Sequence, residues 1–101
     1  MDKNKDRELL HITFNAFSFL QKKLKKKNFK FSNAIIKIQK NSTVKSLIMK
    51  FTLKLDDVEA VFVNGKIVSF DTVLKNNDRV AFLPPGTPGP YRVLLGIIQK
   101  K

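Results

Sequence analysis

The sequence predicts an α+β domain with a mixed sheet of four to five strands and one main helix. Three observations carry this. Two segments rich in Val and Phe, 58–63 and 79–83, have strand chemistry. Asn64-Gly65 follows the first of them directly and supplies the positive backbone angles of a tight turn into Lys66-Ile67-Val68. Upstream, Val44, Leu47, Ile48 and Phe51 recur at helical spacing behind the capping candidates Asn41, Ser42 and Thr43.

In chain order, residues 1–8 alternate charge without apolar anchors and are expected to fray as a flexible N-terminus. A first strand is expected over 9–17, where Ile12, Phe14 and Ala16 alternate with Thr13, Asn15 and Phe17. His11 is the only histidine and reads as a surface or packing residue. The stretch 18–27 has two readings. One is a long solvated loop in which the lysines keep apart; the other is a short basic amphipathic helix carried by Phe17, Leu20 and Leu24. The single-helix count adopts the loop.

A second strand is expected in the apolar run 34–39, paired with the first. The helix is expected over 44–53, burying its apolar stripe on the sheet. Asp56-Asp57 breaks that pattern, and the third strand is expected to start at Val58. The loop 69–78 interleaves Phe70, Val73 and Leu74 with turn residues, so it reads as a compact connection anchored from inside. The last strand must stop at Leu83, because Pro84 and Pro85 cannot continue a ladder. The expected core sets the helix stripe on Ile12, Phe14, Ile36, Ile38, Val61, Val63, Val80 and Phe82.

A chain of 101 residues fits one core, and nine Phe with no Trp suggest that phenyl rings build it. The absence of cysteine excludes disulfides, thiolate metal sites and a catalytic thiol. No segment approaches the ~20 apolar residues of a bilayer span, and no signal-peptide pattern opens the chain. A cytoplasmic protein without membrane contact is therefore expected. One His, no phosphate loop of the G-x-x-x-x-G-K form, and acidic residues placed as caps or breakers argue against an enzyme: no catalytic residue, metal ligand or cofactor is expected. The net charge of +12, from 20 basic and 8 acidic residues, favours anionic partners. Lys22, Lys23, Lys25, Lys26, Lys27 and Lys30 form the densest basic run. It reads either as a solvated surface or, with Phe29 and Phe31 nearby, as an anion-binding, nucleic-acid-contacting stretch.

Val63-Asn64-Gly65, then Ile67-Val68-Ser69-Phe70-Asp71, then Asn77-Asp78-Arg79-Val80-Ala81-Phe82-Leu83-Pro84-Pro85 together resemble the MoaD/ThiS sulfur carriers of the ubiquitin-like β-grasp superfamily. Asn76-Asn77 stands where that family commonly has Asp-Gly. The resemblance implies a β-grasp domain over 9–90, with 91–101 as a C-terminal extension. It also implies a non-enzymatic role through protein partners: an adenylating enzyme and the sulfur-accepting synthase of molybdopterin, thiamine or a related pathway. In such carriers the working group is the carboxylate of a terminal Gly-Gly, which a partner adenylates before sulfur replaces the activated leaving group.

The corresponding partner-binding tail here is Pro84, Pro85, Gly86, Thr87, Pro88, Gly89, Pro90, Tyr91 and Arg92, and no Gly-Gly pair closes it. Proteolysis could expose Gly89 or Gly96. Alternatively the apolar stretch 91–98 is structural, packed on its own sheet or on a second copy as a homodimer contact. The rival functions are a β-grasp adaptor without sulfur chemistry and a basic nucleic-acid-binding module.

Overall fold

The computed structural model describes residues 9 to 86. The expectations for residues 1–8 and for the extension 91–101 lie outside the described residues. Five strands, β1 (Leu9–Ala16), β2 (Ala34–Gln39), β3 (Ala60–Val63), β4 (Lys66–Val68) and β5 (Arg79–Leu83), form one sheet in the order β2-β1-β5-β3-β4. β1 pairs with β5 in parallel, and every other pairing is antiparallel. Helices α1 (Phe19–Lys26) and α2 (Val44–Lys50) and a 3-10 turn (Leu55–Asp57) are the helical elements among the described residues. First and last strands side by side at the centre, with a helical crossover between them, give the β-grasp arrangement.

The expected single helix is corrected to two helices of similar length, 8 and 7 residues. The stretch 18–27 is no solvated loop. Leu20 and Leu24, one turn apart, are both fully buried, and burying two leucines contributes ~1.5–3 kcal/mol each. The lysines between them point to water, where salt screens their mutual repulsion. Asn28, at φ 65, ends α1 in the left-handed region. There the amide of Phe29 bonds to the carbonyl of Leu24 at 2.9 Å and that of Asn28 to Lys25 at 3.0 Å, a Schellman closure.

α2 begins at a reciprocal cap. Thr43 Oγ1 accepts from the amide of Ser46 at 3.1 Å, and Ser46 Oγ accepts from the amide of Thr43 at 2.9 Å. Two further free amides of its first turn, those of Val44 and Lys45, donate to the carbonyls of Thr72 and Phe70, each at 2.9 Å. The loop 69–78 thus satisfies the helix N-terminus. Leu74 anchors the loop as expected, but Val73 is exposed, because backbone pairing opposite Thr43 turns its side chain outward.

α2 ends at Lys50 rather than Leu53. Thr52 takes φ 56, and the amide of Leu53 returns to the carbonyl of Ile48 at 3.2 Å. The third strand likewise begins at Ala60, not Val58. Asp57 Oδ2 accepts from the amide of Lys54 at 2.9 Å, and this bond holds the 3-10 turn that consumes the preceding residues.

The helices and the sheet face beneath them enclose the core. Val44, Leu47, Ile48 and Phe51 pack there with Ile12, Phe14, Ile38, Val61, Val63, Val80 and Phe82, while Ile36 is partly buried against them. Phenyl rings do form its centre: Phe14 stacks on Phe51 at 4.4 Å between ring centroids and meets Phe82 edge-on at 4.8 Å. Among the described residues, no helix is long and apolar enough to cross a membrane.

Candidate functional site

β5 brings the chain to its point of departure. At its start, Asp78 is buried; Oδ2 accepts from the amide of Lys75 at 2.8 Å and Oδ1 from Asn64 Nδ2 at 2.9 Å. Asn64 and Gly65, at φ 54 and 85, form the turn joining β3 to β4, as the dipeptide predicts. Asn77 takes φ 72, and its amide donates to the carbonyl of His11 at 2.7 Å. Asn tolerates this left-handed backbone better than other residues with side chains, so Asn77 does here what a glycine would do.

At its end β5 stops at Leu83, as expected. Pro84 is buried, Pro85 and Gly86 are exposed, and Gly86 has φ 89. A Cβ at Gly86 would meet nothing within 4 Å, so backbone conformation and not crowding favours glycine here. The other predicted tail residues, Thr87, Pro88, Gly89, Pro90, Tyr91 and Arg92, lie outside the described residues.

Beside this exit the sheet carries a second apolar cluster that the sequence reading missed. Ala60, Phe62 and Leu83 are buried together, with Phe17 and Ala81 packed against them. The signal was available: Ala60-Val61-Phe62-Val63 is apolar at all four positions, whereas a strand with one wet face alternates. A groove over the cluster has Asn15, Asn64 and Arg79 among its lining residues.

The predicted basic residues gather on and just after α1. Lys22, Lys23, Lys25, Lys26, Lys27 and Lys30 are all exposed. Two of them also tie the helix to the rest of the domain. Lys23 Nζ meets Asp57 Oδ1 at 3.0 Å, and Lys27 Nζ donates to the carbonyl and hydroxyl oxygens of Thr52 at 2.7 and 2.9 Å. The bond from the Lys54 amide, with Lys23 nearby, holds the Asp57 carboxyl below its ordinary range. Phe29 and Phe31 do not form an open stacking platform. Both pack against the core, Phe29 edge-on to Phe51 at 5.1 Å. Among the described residues, no group of three or more His, Asp or Glu is placed to hold a metal ion.

This topology, with a proline-glycine exit from its central strand, defines a small ubiquitin-like β-grasp protein. The ThiS family model matches residues 22–89, well over half of the chain, and the chain belongs to that family. No curated protein matches the sequence. Three solved structures share the fold. H. volcanii small archaeal modifier protein 1 aligns with a TM-score of 0.59 at 16% identity, covering 75% of this chain and 98% of its own. A Pyrococcus furiosus protein described as molybdopterin converting factor, subunit 1, gives 0.59 at 22% identity, with 75% and 98% covered. A second structure of the Haloferax volcanii protein, SAMP1, gives 0.56 at 16% identity, with 78% and 99% covered.

Proposed function

We propose that this chain is a non-enzymatic carrier-type protein that hands its C-terminal segment to protein partners, in sulfur transfer or in cofactor biosynthesis of the molybdopterin or thiamine type. The observation that carries this reading is the exit at the end of β5. A strand fixed on both sides, by β1 and by β3, releases the chain through Pro84, Pro85 and Gly86 beside an apolar sheet face. A rigid body with a stiffened tail suits delivery into a partner's narrow active site, since the prolines limit the conformations lost on entry. The partners would be an adenylating enzyme and a synthase that accepts the sulfur.

Loss of sulfur chemistry, leaving an adaptor, is the second reading. Its support is that Gly86, Gly89 and Gly96 are isolated, with no Gly-Gly pair among them. Intact mass of the protein isolated from its own host separates the two. Processing to a glycine end, or a gain of one sulfur-for-oxygen exchange at the terminal carboxylate, is expected of a carrier. An unprocessed and unmodified chain, in cells where the pathway is active, overturns carrier chemistry and leaves the adaptor.

A further inference from the structure

Residues 9–55 hold eleven lysines and neither an acidic residue nor an arginine. They build β1, α1, β2 and α2, whereas the acidic side chains of the described residues, Asp56, Asp57, Glu59, Asp71 and Asp78, all come later. Positive charge is therefore gathered in the first half of the domain, and α1 is its densest part.

With about 3.6 residues per turn, the lysines of α1 and its C-cap divide into two sets. Lys23 and Lys27 flank the buried face of Leu20 and Leu24, and the fold uses both. One meets Asp57 Oδ1 at 3.0 Å, and the other donates to the carbonyl and hydroxyl oxygens of Thr52. Lys22, Lys25 and Lys26 lie on the stripe opposite the leucines, three and four residues apart and so neighbours. All three are exposed, and their side chains make no ion pair or hydrogen bond among the described residues. The helix dipole favours a cation in the last turn, yet Lys22 precedes that turn and the three repel one another.

The chemistry of the stripe narrows its partner. Lysine is a point charge without the fork of arginine, so it does not read carboxylates or base edges bidentately. Phe29 and Phe31 are taken up by the core, which leaves Phe19 as the one exposed ring of α1, too little to stack successive bases or to enter a lipid interface. What remains suits a dense, regular row of negative charge. A nucleic-acid duplex carries one charge per ~1.7 Å of its axis. α1 is 8 residues long and spans about 12 Å, so it can face roughly seven phosphates.

We propose that α1, through Lys22, Lys25, Lys26 and the adjoining Lys30, is a contact surface for the phosphate backbone of double-stranded nucleic acid and does not read its sequence. This goes beyond the proposed carrier role and does not involve the exit of β5, so either can fail without the other.

The test is fluorescence anisotropy of short labelled DNA and RNA duplexes titrated with the full chain between about 50 and 200 mM salt. Binding is expected at the lower salt. K22Q/K25Q/K26Q should flatten the slope of log affinity against log salt by about 2.7, since each phosphate contact contributes about 0.9. The charge-keeping K22R/K25R/K26R should retain the wild-type slope. A charge-matched control, K37Q/K66Q/K75Q on β2, β4 and the loop 69–78, should leave it nearly unchanged, with circular dichroism confirming that every variant is folded. Binding to one kind of duplex only supports the surface and names its source. No binding to either duplex at the lower salt overturns the proposal. So does an equal loss of slope in the control, or tighter binding to a single strand, to polyglutamate or to phosphatidylserine vesicles than to the duplexes, which would assign the stripe to another class of partner.

Discussion

Asn64 and Asp78 are 14 residues apart in sequence and joined side chain to side chain at 2.9 Å. The bond is one of three that lock the β3–β4 turn to the start of β5. Asn64 Oδ1 accepts from the amide of Arg79 at 2.9 Å, and the amide of Asn64 donates to the carbonyl of Arg79 at 2.8 Å. Replacing Asp78 by Ala strands the Asn64 and Lys75 donors and should cost about 1–3 kcal/mol. Asn64→Gly keeps the positive φ and loses only the side-chain bonds, so its cost should be smaller. Urea unfolding of the two variants checks the order, and a larger loss for Asn64→Gly would contradict it.

Phe51 sits where three other rings converge, within 4.4 Å of Phe14, 5.1 Å of Phe29 and 6.1 Å of Phe82 between centroids. Phe51→Ala should destabilise by about 3–5 kcal/mol through lost burial and the cavity left behind. Denaturant titration should show a lower midpoint at unchanged slope; a cost under ~1 kcal/mol would mean that the ring is not central to the core.

Leu24 tests α1. With the side chain fully buried, Leu24→Ala should cost about 2–5 kcal/mol. Changing the exposed Lys22, Lys25 and Lys26 together to Gln should leave stability within about 0.5 kcal/mol per site. Equal effects from both variants would contradict a helix anchored on its leucine face.

Asp57 supplies a pH dependence. Its carboxyl is held below the ordinary value of about 4, first by the Lys54 amide and then by Lys23. A lowered folded-state value means that the unfolded chain binds the proton more readily. The contribution is therefore full above about pH 4 and lost as pH falls through the folded value. Asp57→Asn removes the charge while an amide oxygen can still accept from Lys54. The stability gap between wild type and this variant should narrow as pH drops from about 5 to 2; a gap that widens would reverse the assignment.

The strands and α2 were legible because their side chains sort cleanly. Ile12 and Phe14 alternate with polar neighbours, and Thr43 announces the helix with its hydroxyl. The basic helix was not, since its evidence is two leucines among lysines. Its stability comes from tertiary burial and from ties to Asp57 and Thr52, residues more than 20 positions away. Local pattern carries neither. The second apolar face was hidden for a different reason. Phe62 and Ala81 lie within runs that already satisfied the main core; the unbroken apolar run 60–63 signals a second buried face, and the β3–β5 pairing shows which residues share it. At Asn77 the chain takes the left-handed backbone with φ 72, a conformation that glycine adopts freely and asparagine tolerates.

The parallel pairing of β1 with β5 joins Thr13 to Arg79, 66 positions along the chain. No local segment can therefore nucleate the middle of the sheet, and the loop-closure entropy must be met before those contacts form. During synthesis the hairpin of β1 and β2 and both helices emerge with their apolar faces uncovered. They gain a complete core only once Leu83 has left the ribosome. The interval is one of exposure to aggregation and to chaperones. A stop codon anywhere before β5 should yield no partial domain, only a chain that is degraded.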